Sequence, residues 1–196
     1  MKRDPQLLFL LGINLLVLAV GAAISKGAFV DPYNLQSMAA QLPELGLLAV
    51  GVMLAMSSGN GGIDLSGIAL ANLAGVTSAL MVAALVSVDE APILFTLSFV
   101  TVTVLVGLIG GVFNGLLIAR LGLTPILCTL GTQLLFTGFA VVLSGGTSVR
   151  VGSADPLMNL GNGLVLGVPI SFLVFGVIVL LTGMLLKFSP FGIRLF

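Results

Sequence analysis

The chain has 196 residues, of which 58% are apolar and 7% charged, with seven basic and seven acidic side chains and no histidine. So oily a composition excludes a water-solvated surface and places the chain in a lipid bilayer. The zero net charge offers no basic patch for nucleic acid, and one cysteine without histidine lacks the usual ligands of a transition-metal or haem site.

An apolar helix needs about 20 residues to cross the hydrocarbon, and six runs meet that length: residues 7–24, 42–58, 65–88, 91–119, 123–143 and 164–186. Runs such as "FLVFGVIVLLTGMLL" do not alternate as barrel strands do, so the predicted fold is all-α, a polytopic helix bundle. The first run, behind Lys2 and Arg3, also has the look of a cleaved leader, but its length and the spans that follow favour a membrane helix. After it, Asn34 suits the cap of a short helix with Leu35, Met38, Ala39 and Leu42 on one face, lying at the interface. Pro43 then suits the first turn of the second span; the alternative is one long helix kinked at Pro43.

Between the second and third runs lies "SSGNGGIDLSG", residues 57–67. Its glycines predict a helix broken at membrane depth, with freed backbone groups tolerated only against protein or a water-filled cavity. Asp64 suits a cap of the third helix, accepting from the N–H of Ser66 or Gly67, and this is compatible with contact to a solute. In the fourth run Gly107, Gly111 and Gly115 recur every fourth residue and predict close approach of a neighbouring helix, with Asn114 beside the stripe. Asn72, Thr129, Thr132 and Gln133 are the polar side chains of other spans, expected to hydrogen-bond between helices. Cys128 reads as core filler.

Basic residues collect in cytoplasmic loops, and six spans starting inside put Lys2, Arg3, Arg120, Lys187 and Arg194 there, against Lys26 and Arg150 outside. Asp31, Glu44, Asp89, Glu90 and Asp155 fall outside, with Asp4 and Asp64 inside. Both termini are therefore expected in the cytoplasm. Enzyme chemistry finds little support: there is no G-x-S-x-G elbow and no histidine base, and Asp64 lacks the second carboxylate of an aspartyl protease.

"GNGGIDLSGIALANLAG" followed by "GGVFNGLLIARLGLTPILCTLGT" resembles the transmembrane permease subunit of ribose-type ABC sugar importers. Gly61, Gly62, Ile63, Asp64, Leu65 and Ser66 match its first motif, and Asn114, Gly115, Thr124, Pro125, Thr129, Leu130, Gly131 and Thr132 its second. "DPYNLQSMAAQLPELGLLAVGVMLAM" and "FSPFGIRLF" extend the likeness over most of the chain. Where the family continues with Val-Gly-Ser after the serine, Gly67, Ile68 and Ala69 stand here, moving the glycine one residue earlier.

The resemblance implies a single permease domain over residues 1–196, the front portion of a longer permease ending at Phe196, in the bacterial inner membrane. It implies no cofactor and no catalysis; the absence of G-x-x-x-x-G-K-[ST] agrees with ATP hydrolysis in a separate ATPase subunit. A second permease subunit, identical or not, would complete the pathway, and a periplasmic binding protein would deliver the sugar. Asp64, Ser66 and Asn114 are the expected pathway residues, and the outer loop 144–163 the expected contact for the binding protein. The alternatives are a passive channel, with a permanently open polar path, and a scaffold that transports nothing.

Overall fold

The computed structural model describes residues 5–58, 62–152, 154–190 and 192. Gly61 of the first motif, and Lys2, Arg3, Asp4 and Arg194 of the charge pattern, lie outside the described residues.

Among the described residues, six helices are long and apolar enough to cross a membrane: α1 (Pro5–Ile24), α2 (Pro32–Ser57), α3 (Gly67–Leu85), α4 (Pro92–Leu121), α5 (Pro125–Ser144) and, after a short α6 (Asp155–Asn162), α7 (Ile170–Phe188). This is a polytopic helical bundle. Proline at the first turn of α2, α4 and α5 marks each start, since its missing N–H has no helical partner there anyway. Gly122, in the left-handed region at φ 66°, ends α4 and lets the chain turn back into α5 within three residues.

Of the two readings of the segment after α1, the structure takes the one long helix that contains Pro43; the expected Asn34 cap and the start of the last span are corrected. Asp31 caps this helix, accepting from the Tyr33 N–H at 2.9 Å, and the helix runs unbroken through Pro43 to Ser57, while Asn34 Nδ2 donates back to the Phe29 carbonyl at 2.7 Å. The last span begins at Ile170, not at residue 164. A hairpin pairs β1 (Leu164–Val165) with β2 (Val168–Pro169) across Leu166 and Gly167, both at positive φ, 53° and 83°. Two left-handed residues are what a two-residue hairpin turn requires, and Leu166 hides the turn inside an apolar run.

α3 is the central helix, packed against α4 on one side and α5 on the other. Ala69, Leu73, Phe136 and Ala140 form its core with α5, and Val82 and Phe95 its core with α4, where Ala154 closes the end. Ser78 and Thr103 hydroxyls meet across the α3–α4 seam at 2.8 Å. α2 packs chiefly on α7, with Phe175 lying over Gly46, and touches α3 far less. The bundle therefore has two parts, α2 with α7 and α3 with α4 and α5, and space between them.

The glycine stripe is corrected as well. A Cβ added at Gly107, Gly111 or Gly115 meets nothing within 4 Å, whereas one at the neighbouring Gly110 runs into the Leu70 side chain. Close approach to α3 thus occurs at Gly110, because α4 turns that face, and not the 107–111–115 face, toward Leu70.

Candidate functional site

Residues 62–66 form a non-helical connection between α2 and α3. They lie inside the bundle, not at its end: Ser66 is bonded to Asn114, seven residues before α4 ends, and Leu65 to Thr129, four residues after α5 begins. At 1.5 Å per residue those positions are about 10 Å and about 6 Å into the helices. The segment is therefore recessed within the helix bundle.

Its freed backbone groups find partners within the protein. Thr129 Oγ1 accepts from the Leu65 N–H at 3.2 Å and donates to the Ile63 carbonyl at 3.1 Å, tying the segment to α5. Asp64 Oδ1 accepts from the Ser66 N–H at 2.8 Å and from the Ser66 hydroxyl at 2.7 Å. The expected contact to the Ser66 N–H is present, but the expected capping role is corrected: Ser66 itself holds the N-cap position of α3, with no side-chain cap bond, and Asp64 bonds this residue ahead of the helix and no N–H of its first turn. The Ser66 oxygen in turn accepts from Asn114 Nδ2 at 2.7 Å, tying the segment to α4. Gly62 sits against the Pro125 ring so closely that a Cβ there would lie 2.7 Å from its Cβ and Cγ. Only glycine fits.

The two sequence motifs therefore meet, through Gly62 with Pro125, Leu65 and Ile63 with Thr129, and Ser66 with Asn114. Ser66 is fully buried, Asn114 is 5% exposed and Asp64 is half-buried. Other motif residues stand apart. Thr132 is buried and donates to the Thr129 carbonyl, Thr124 caps the start of α5 by position, and Leu130 and Gly131 are exposed away from the segment. Asn114 Oδ1 is buried and finds no partner among the described residues.

Two cavities flank the segment. The larger, about 1170 Å³, opens between α2 and the α3–α5 pair; its polar lining is Glu44, Asp64, Asn72, Ser144, Thr147 and Ser148. The smaller, about 440 Å³, lies toward the end of the bundle that carries Arg120 and is lined by Ser58, Ile63, Asp64, Asn114, Gly115 and Thr129, among others. Asp64 lines both. Sequence reasoning missed Glu44, Asn72 and the loop hydroxyls as cavity residues, since nothing in their spacing links 44 and 72 to 144–148. Asn72, expected to bond between helices, is instead exposed to the larger cavity.

Fold and site together define a class: a multi-pass helical membrane protein in which the segment between two spans passes between two open cavities. The chain is homologous over most of its length to import permeases of ABC transporters. It is 28% identical over 93% of its length to a ribose import permease protein of Bacillus subtilis, 29% over 95% to an L-arabinose ABC transporter permease protein of Azospirillum brasilense, and 30% over 93% to an autoinducer 2 import system permease protein of Yersinia enterocolitica. The chain spans about half the length of these relatives, between 52% and 54%. Neither a protein-family model nor a solved structure matches the chain.

Proposed function

We propose that residues 1–196 form a permease domain of an ABC importer in the bacterial inner membrane, carrying a simple sugar delivered by a periplasmic binding protein and driven by a separate ATPase subunit. The observation that carries this reading is the polar crossing of residues 62–66 between two cavities, in a chain whose relatives are ribose, L-arabinose and autoinducer 2 import permeases. Asp64 and Asn114 line the pathway at that crossing, and Ser66, expected to line it, is buried between them and holds both in place. A second permease subunit, identical or different, faces the cavities from the other side.

The larger cavity opens toward the loop after α5, where Thr147, Ser148 and Val149 line it. That end faces the periplasm in the orientation the basic residues favour, with Arg120 and Lys187 on the cytoplasmic side and both termini there. The loop 144–163, held to the α3–α4 core by Val151, Ala154 and Leu157, receives the binding protein. Closure driven by the ATPase exposes the two cavities in alternation.

Labelled-ribose and labelled-arabinose uptake, in cells with and without this gene, tests the reading. Uptake that requires the gene and stops on ATP depletion is expected. Gene-dependent uptake that survives ATP depletion identifies a passive channel instead, and uptake of each sugar unchanged by deletion refutes the assignment to those cargoes.

A further inference from the structure

We propose that residues 62–66 are a gate between the two cavities, and that the Ser66–Asn114 hydrogen bond is its latch. The proposal rests on the transport reading above and adds the moving part. Chain order carries it: Gly62 and Ile63 line the smaller cavity, Asp64 lines both, and Leu65 and Gly67 line the larger. The segment passes from one cavity into the other, so it is the wall that separates them.

What holds this wall is unequal on its two sides. Toward α5 the tie is made from backbone to Thr129, on residues 63 and 65. Toward α4 it is one side-chain contact, Asn114 Nδ2 to Ser66 Oγ. The Ser66 hydroxyl proton is committed to Asp64, so the Ser66 oxygen can only accept, which fixes Nδ2 toward it and leaves Oδ1 as the atom without a partner. A buried acceptor left unmade disfavours the latched arrangement. When the segment swings from α4, Oδ1 reaches the smaller cavity and bonds a hydroxyl, from water or from solute, that has no such contact while the latch is closed. Such a difference between the two states is what lets a solute bias their balance. Gly111 and Gly115, beside Asn114 on the same cavity, leave the space open for this movement.

The test is thiol accessibility in the assembled transporter in its native membrane, with Cys128→Ser as background. Single cysteines replace Gly115, in the smaller cavity and with room for a side chain, and Asn72, in the larger. A membrane-impermeant maleimide is applied to either side separately. With the latch intact, Gly115→Cys reacts from one side and Asn72→Cys from the other. Ser66→Ala, or Asn114→Leu from the opposite partner, raises reaction of Gly115→Cys from the far side by about tenfold, as loss of one or two hydrogen bonds predicts; Ser66→Thr, which keeps the hydroxyl, does not. Unaltered sidedness in both latch variants, at normal abundance in the membrane, overturns the gate. Because labelling reads geometry and not cargo, that result leaves ATP-dependent uptake standing, whereas lost uptake with altered sidedness leaves the gate standing.

Discussion

Ser66, with a single hydroxyl proton, makes three hydrogen bonds to two side chains: it donates to Asp64 and accepts from Asn114, while its N–H also goes to Asp64. Asp64→Asn keeps an acceptor oxygen at that place for the Ser66 N–H and hydroxyl, so thermal unfolding of the detergent-solubilised protein should show a loss below about 1 kcal/mol. Asp64→Ala removes the acceptor for both Ser66 groups and should lose about 1–3 kcal/mol in the same measurement. The neighbouring glycines of α4 divide in the same way. Gly110→Leu drives a side chain into Leu70 and should lower stability by about 1–3 kcal/mol, whereas Gly111→Ala meets open space and gains helix propensity of up to about 1 kcal/mol. Equal melting temperatures for these two variants would contradict the packing. Four-residue spacing showed that a glycine face exists; it could not show that the face lines a cavity, since spacing defines a face without saying what lies opposite.

α3 and α5 run parallel and α4 antiparallel between the same ends, and the interrupted segment is positioned by both neighbours. Thr129 matters most for the α5 side, because one hydroxyl serves an N–H and a carbonyl two residues apart on the non-helical segment. Thr129→Val, of equal shape, leaves both unmade and should destabilise by about 1–3 kcal/mol, while Thr129→Ser should recover most of that, again by thermal unfolding. The spans themselves were legible, since length and unbroken apolarity are local properties; four of the six predicted starts fall within two residues of the observed ones. The start of α7 was not. Leu164–Pro169 is as apolar as a span, and only pairing of Leu164 with Pro169 and of Val165 with Val168 makes it a hairpin. The unbroken α2 was equally hidden, because a proline one turn into a predicted helix and a proline inside a longer one read alike.

In the whole molecule, the weak contact between α2 and α3 has the largest consequence, since the 1170 Å³ cavity occupies the space that a tighter α2–α3 seam would fill. The proposed orientation sets its mouth, beside Ser148 and Val149, in the periplasm. A cysteine at Arg150, in the Cys128→Ser background, should then react with an impermeant maleimide added to intact cells, and one at Arg120 only after the membrane is opened. The reverse pattern would invert the bundle and place the smaller cavity outward. The sequence showed two ordered motifs, and each motif taken alone had no visible reason for its residues; their contact supplies it, in the match of Gly62 to Pro125 and of Ser66 to Asn114.

Membrane residence, helix content and the number of spans followed from residue types along the chain, because the cost of apolar surface in water and of unpaired backbone in lipid is incurred segment by segment. The meeting of Ser66 with Asn114 and of Leu65 with Thr129, 48 and 64 residues apart, did not. Contacts between helices depend on which faces pack, and in a chain apolar on nearly every face no periodicity of composition singles one out; the fold had to bring α3, α4 and α5 together before the polar groups at the break had partners or a cavity on either side.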